Sequence, residues 1–464
     1  MDKALNPEKW GLKVGPTGEL MIGDINTTDL AEEYGTPLHI INHERLIETA
    51  KRFISTVENS YPAKTSVNYA FKCNSVPYVV QILKDAGLKA EVCNEYELQL
   101  AQRVGHKSED IIVNGPCKPD QFLRQCLIDK VGLLVIDSID ELISLARLTD
   151  QLKHQINILF RVNPDYTPKG MNSSTATGSR KGCAFGLDLK GGEVNIALKY
   201  LKNLPRINFL GFHFHIGTGI RNPNDYVRAL KRLFPLFSYT QNMGYEIKIM
   251  DVGGGIASFT TRELTATEML LYQSLKHFPN RIKHNENITL QNFAQQIADV
   301  LTSFFTKDKL PVLIYEPGRS IASPNQFLLL RVHRVKKRKG VNNWLITDGG
   351  LGTVTLPTYY EYHEVFLCNE VFRCENGLAT ITGPCCFASD IVYRNKLLPN
   401  VKPGEVLAIM DTGAYFTALE STFGFPRPAI VAVTNGNHHV VRKRETFDDM
   451  VSRDNFNLTN EVSK

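Results

Sequence analysis

The chain has 464 residues, more than one hydrophobic core usually organises, so two domains are expected. Its 53 basic and 48 acidic residues nearly cancel to a formal +5, and the lone basic run Arg334-Val335-Lys336-Lys337-Arg338-Lys339 reads as a solvated hairpin end rather than a nucleic-acid surface. No stretch is long and apolar enough to span a bilayer, residues 1–30 are too polar for a secretory signal, and nine cysteines without paired CxxC spacing suit reduced thiols in a cytoplasmic protein, not a disulfide frame or a metal site.

In chain order the first element is the strand-like Pro37-Leu38-His39-Ile40-Ile41, expected to pair with a carboxyl-terminal β domain. Residues 65–71 then form an apolar strand that runs into Lys72, ahead of a helix beginning near Val76-Pro77. A lysine at the carboxyl end of a buried strand is desolvated, which lowers its pKa and fits it to form an imine. Seven further strands end at Glu91-Val92-Cys93-Asn94, Ile111-Ile112-Val113-Asn114-Gly115, Val135-Ile136-Asp137-Ser138, Phe160-Arg161-Val162-Asn163, Phe212-His213-Phe214-His215, Met250-Asp251-Val252-Gly253-Gly254-Gly255 and Tyr315-Glu316-Pro317-Gly318-Arg319. Amphipathic segments such as 79–86, 96–104 and 293–304 lie between them. Eight alternating units predict an α/β fold closed as a (β/α)8 TIM-like barrel, with all these polar ends at one pole. After Ser320 the texture becomes β-branched: runs at 326–335, 344–347, 371–374, 379–382, 405–410, 429–433 and 439–442 predict an all-β, barrel-like domain of antiparallel strands.

The strand ends also carry chemistry. Gly253, Gly254 and Gly255 offer unhindered backbone N–H groups to a phosphate, Arg319 can add a bidentate contact, and Glu316 points a carboxylate into the same mouth. An imine-forming lysine, a phosphate cradle and a carboxylate facing a ring nitrogen together describe a site for pyridoxal 5′-phosphate.

At this point the chain resembles a known family, the fold-type III pyridoxal-phosphate decarboxylases, which includes diaminopimelate decarboxylase and eukaryotic-type ornithine decarboxylase. The resemblance runs from about residue 30 to 454. It rests on Tyr69-Ala70-Phe71-Lys72-Cys73-Asn74, Phe214-His215-Ile216-Gly217-Thr218-Gly219, Asp251-Val252-Gly253-Gly254-Gly255, Glu316-Pro317-Gly318-Arg319, Gly383-Pro384-Cys385-Cys386 and Gly413-Ala414-Tyr415. It implies an alanine-racemase-like barrel over 40–322, and a β domain from 1–39 and 323–464 that completes the active site of a partner subunit. The assembly it implies is an obligate homodimer with shared sites.

For individual residues the resemblance implies that Lys72 bonds the cofactor as an imine, His215 stacks on the ring and Glu316 pairs with the ring nitrogen. Thr218, Gly253, Gly254, Gly255, Gly318, Arg319 and Tyr415 would hold the phosphate, with Arg161 a further cofactor contact. Glu91 stands where the family has an aspartate near the imine. Cys386 would act from the partner's β domain, returning a proton to the substrate carbon after carbon dioxide leaves.

Substrate contacts depart from the family pattern. Phe387 and Tyr360 occupy places where ornithine-type relatives have acids for a distal ammonium, and Phe387 with Thr355 or Leu356 replaces the glutamate and arginine of diaminopimelate-type relatives. Tyr359 joins these as a substrate-site candidate. Ala184 stands before Phe185-Gly186 where relatives have lysine; the loop 170–186 could be a lid, with Arg180 or Lys181 replacing the missing cation. The expectation is a modified or bulkier amino-acid substrate, in siderophore or other specialised biosynthesis. Diaminopimelate, ornithine or lysine is the alternative substrate, and a non-catalytic binding homologue, a racemase-type enzyme or a phosphate-sugar enzyme the alternative class.

Overall fold

The computed structural model describes residues 6–171, 176–276, 279, 289–354 and 357–455. Eight parallel strands, Thr65–Ala70, Lys89–Val92, Ile111–Val113, Leu133–Ile136, Ile156–Asn163, Ile207–His213, Ile249–Asp251 and Val312–Tyr315, pair in sequence order. The last pairs with the first, so the sheet closes into the expected barrel. Helices that include Pro77–Asp85, Glu95–Arg103, Ile139–Leu152, Asn224–Asn242 and Leu290–Thr302 alternate with the strands. Local sequence fixes their starts: the side chains of Asn94 and Ser138 accept hydrogen bonds from the N–H groups of Glu97 (2.9 Å) and Glu141 (3.2 Å).

Successive strand residues face opposite sides, and the burial follows. Ile112, Leu133, Val135, Leu159 and Ile314 pack together as one cluster, whereas their neighbours Ile111, Val113, Leu134, Ile136, Ile158 and Phe160 join the larger core shared with the helices.

The strand Gln326–Lys337 is the spine of the β domain. Its first half pairs with Leu38–Asn42 and Val406–Ile409, its second with Asn343–Thr347. Alternate residues supply two cores, one holding Leu38, Ile40, Phe327 and Leu329 and the other Leu328, Leu330, Val332 and Ile409. The amino-terminal strand thus pairs with this domain, as the sequence suggested. Two expectations fail. Asn343–Thr347 runs parallel to Glu375–Thr382, and Ala429–Thr434 parallel to Leu38–Asn42, so the domain is mixed rather than antiparallel. Residues 371–374 are a turn: the Asn369 side chain accepts the Val406 N–H (2.9 Å) and Val371 N–H bonds Gly18 (2.7 Å), and strands form instead at Val365–Leu367 and Ile391–Pro399.

The β domain is fastened to the barrel mouth at two points. Asp411, fully buried, accepts the indole N–H of Trp10 (2.8 Å) and bonds Ser258 (3.4 Å) and Thr260 in the loop after the seventh strand. Asn74 donates to Gln326 (3.2 Å) and Gly413 (3.1 Å), and Tyr415 N–H to Cys73 (2.8 Å), which clamps the carboxyl-terminal end of the turn carrying Lys72. No described helix is long and apolar enough to cross a membrane.

Candidate active site

Register places the first acid. Ala70 lies opposite Glu91, so Lys72, in the short helical turn Phe71–Cys73, ends beside that carboxylate. Its Nζ donates to Glu91 Oε2 (2.8 Å) and Oε1 (3.0 Å); Glu91 is buried, while 45% of the Lys72 side chain opens to the mouth. Desolvation pulls the Lys72 pKa down, but Glu91 and Glu316 outweigh it and the net shift is upward, the reverse of the sequence expectation. Counting burial without its charged partner gave the wrong sign. Burial pushes Glu91 up to about 7, even against the pull of Lys72.

The ends of the sixth, seventh and eighth strands build a polar floor. His213 lies opposite Asp251, Asp251 opposite Ile314, and Glu316 follows two residues later on the same side. His213 Nε2 is 3.2 Å from Glu316 Oε2, and Asn114 Nδ2 reaches both Glu316 oxygens at 3.3–3.4 Å. Glu316 is 4% exposed; burial opposes its charge, but the contact with His213 and the charge of Lys72 hold its pKa at about 2. Asp251 goes the other way, driven well above its ordinary value by burial and then by Glu316. His213, Asp251 and Asn114 were visible in the quoted strand ends, yet only register shows that they meet.

His215 lies close by, its pKa held well below the ordinary value by burial and by Arg161 and Lys72, so its imidazole is neutral. Arg161 pairs with Asp137 (3.5 Å) and lies 4.3 Å over the Phe185 ring. Gly253, Gly254 and Gly255 close the cradle: a Cβ on Gly254 would stand 2.2 Å from the Glu316 carbonyl, and one on Gly255, at φ +97°, 2.0 Å from that of Gly217. An amine at an open mouth, an ionised buried carboxylate, a neutral imidazole and a cradle free of side chains fit a phosphorylated pyridine aldehyde.

Arg319 is less free than the sequence suggested. Its Nη1 is 2.7 Å from Glu361 Oε2, both side chains being at most 4% exposed; its Nε donates to Thr218 Oγ1 (3.4 Å), and its guanidinium lies 5.0 Å over the Tyr415 ring. Gly318 packs against Cys73, where a Cβ would come within 2.8 Å. Glu361 is itself opposite Glu263 in a two-residue antiparallel ribbon, Arg262–Glu263 with Glu361–Tyr362. Like charges directly opposite repel, and Oε1 of each has no hydrogen-bond partner among the described residues. Burial pushes Glu263 up to about 7, with Arg319 opposing and Glu361 adding to the shift.

A carboxyl with a raised folded pKa binds its proton more tightly folded than unfolded, so stability drops as pH climbs from the unfolded value to the folded one. We therefore expect the melting temperature to fall between pH 5 and pH 8, and to fall less in Glu263→Gln. Scanning fluorimetry checks this; parallel pH profiles for the two proteins would refute it.

The remaining candidates lie outside this cluster or only at its edge. Cys386 is exposed, on a loop held by Asp390, which accepts the N–H of Cys385 (2.7 Å) and of Leu351 (2.6 Å). Phe387, 46% exposed, meets Phe423 edge to face at 5.8 Å. Tyr360 is partly buried and its carbonyl accepts Leu264 N–H (2.6 Å), while Tyr359 is exposed. Arg180 is paired with Asp188 (2.6 Å) and does not reach toward the floor as a free cation. Thr355, Leu356 and residues 172–175 of the 170–186 loop lie outside the described residues.

Residues 47–323 match the family model described as "Pyridoxal-dependent decarboxylase, pyridoxal binding domain". Across 94% of the chain and 95% of the relative, it is 29% identical to a diaminopimelate decarboxylase of Methanocaldococcus jannaschii and 30% identical to that of Bacillus subtilis. The crystal structure of diaminopimelate decarboxylase from M. jannaschii in complex with L-lysine superposes with a TM-score of 0.84 at 27% identity, covering 96% of this chain and 97% of that one.

Proposed function

Because the chain belongs to the pyridoxal-dependent decarboxylases, with pyridoxal 5′-phosphate as its cofactor, we propose that it removes the α-carboxyl group of an amino acid whose side chain carries a distal ammonium, diaminopimelate first among the candidates. The observation that carries this reading is Glu316, buried yet ionised, in the same mouth as the Lys72–Glu91 pair.

When bound, the cofactor supplies an electron-poor pyridinium ring that accepts the electron pair left on the α-carbon as carbon dioxide departs. Lys72 provides the amine that bonds it. Glu316 holds the proton on the ring nitrogen, and neutral His215 can lie against the ring without adding charge. The N–H groups of Gly253, Gly254 and Gly255, with Thr218, Gly318, Tyr415 and the uncommitted N–H groups of Arg319, hold the phosphate, and Arg161 guards its pole of the site. Glu91 keeps the lysine charged until a reacting partner arrives.

The diaminopimelate reading is supported by relatives that align along nearly the whole chain. The distal ammonium is supported by Glu263 and Glu361, two facing acids that share one arginine, so that a further cation beside them would favour their charged forms. A modified or bulkier substrate remains a second reading because apolar Phe387 stands in the loop beside Cys386. Steady-state assays on meso-diaminopimelate, lysine, ornithine and arginine separate them. Efficient turnover of meso-diaminopimelate, lysine or ornithine upholds the ammonium reading; turnover confined to arginine, which ends in a guanidinium, or to other amino acids without an ammonium upholds the second.

We also propose the division into a 40–322 barrel and a β domain from 1–39 and 323–464, with Cys386 reaching the site of a partner copy. Mixing Lys72→Ala and Cys386→Ala subunits, each inactive alone, should then restore about a quarter of wild-type activity, since half of the random dimers are hybrids and each hybrid has one intact site of two. Additive, unrestored activities after subunit exchange would contradict shared sites.

A further inference from the structure

Glu316 does not stand alone on the floor. His213 Nε2 lies 3.2 Å from its Oε2, and Asn114 Nδ2 lies 3.3 Å from that oxygen and 3.2 Å from His213 Nε2; with Nε2–H donating to Oε2, the amide donates to the same oxygen. His213 is fully buried, and its other ring nitrogen, Nδ1, has no hydrogen-bond partner among the described residues. A buried imidazole placed only for packing has no need to spend its one satisfied nitrogen on a carboxylate. The contact saturates Oε2 and leaves Oε1 as the oxygen with acceptor capacity to spare.

We propose that His213, with Asn114, is a positioning residue that fixes the orientation of the Glu316 carboxylate and keeps it ionised toward the cofactor ring. The inference rests on the decarboxylase reading but concerns a residue that acts through Glu316 rather than on substrate. The mechanism follows from the charges that face the pair. Asp251 and Glu91 are acids whose charged forms are opposed by burial and by neighbouring carboxylates, Glu316 among them. Lys72 and Arg161 face it from two other strand ends and His215 from the same strand end as His213, and of these only Lys72 and Arg161 bring charge. Without the donor from His213, Glu316 would compete with Asp251 for a proton across the floor, and its hold on a ring N–H would weaken as pH falls.

The test is an absorbance titration of the cofactor-loaded protein between pH 6 and pH 9. Wild type should keep one band position throughout. His213→Phe should show a band that moves with pH and releases cofactor more readily, with kcat lower by about ten- to a hundredfold, as for other residues that orient a catalytic ligand, and KM little changed. His213→Gln, which restores an N–H donor, should return the fixed band. If His213→Phe gives no folded protein, Asn114→Leu takes its place with the same expected drift. A pH-independent band in the donor-less variant overturns the proposal, even if activity falls. The band is read without substrate, so its outcome is separate from whether carbon dioxide is released.

Discussion

Replacing Lys72 with alanine is expected to abolish the visible absorbance of the bound cofactor and to lower kcat by roughly four orders of magnitude or more, the scale of losing a covalent nucleophile. The size follows from how the amine is held. Its turn is clamped at its carboxyl-terminal end by Asn74, bonded to Gln326 and Gly413, and by Tyr415 N–H on Cys73. Alanine leaves that backbone in place but removes the Nζ that donates to both oxygens of Glu91. Glu91 then becomes a buried acid with a pKa already near 7 and no cation beside it, so it takes up a proton. The variant should therefore fold yet bind cofactor only weakly. Because Lys72 is held protonated by Glu91 and Glu316, cofactor loading of the wild type should quicken as pH rises. Lys72→Ala retaining a tightly bound, coloured cofactor would contradict this account.

The second large effect belongs to Glu316. Glu316→Gln keeps the shape and its hydrogen-bond reach but removes the charge that holds a proton on the ring nitrogen. Loss of one pre-organised electrostatic group costs about 3–4 kcal/mol, roughly a hundred- to a thousandfold in kcat. Substrate binding should change little, since Glu316 lies on the floor with His213 and Asn114. Its pKa of about 2 means that the carboxylate stays ionised across the working range, so a bell-shaped rate profile above pH 4 should owe nothing to it. Stopped-flow measurement of the chemical step, with KM measured in parallel, checks both points; an equal loss in binding would place Glu316 elsewhere in the mechanism.

Much of this was legible before the fold was known. Eight strand ends could be counted because parallel strands buried on both faces read as short apolar runs, each followed by a helical period. Lys72, Glu316, His215 and the three glycines stood at those ends by position alone. What sequence could not supply was lateral register. Glu91 becomes the partner of Lys72 only because Ala70 pairs with it, and that acid reverses the sign of the lysine's pKa shift. The same applies to His213 and Asp251, whose meeting with Glu316 depends on three aligned strands. Glu361 was hidden for another reason: it lies in a two-residue ribbon too short to read as a strand, so the capture of Arg319 was invisible. In the β domain, β-branched runs marked most strands but not their directions, and parallel pairs formed where antiparallel ones were expected.

The central claim is that Lys72 and Glu316 serve the loss of an α-carboxyl group. Incubation of the cofactor-loaded protein with diamino acids in D2O, with carbon dioxide and amine measured together, tests it most directly. The account predicts one carbon dioxide per amine, and one deuterium on the carbon that carried the carboxyl group. An amino acid recovered with its carboxyl group intact and its α-hydrogen exchanged would contradict it.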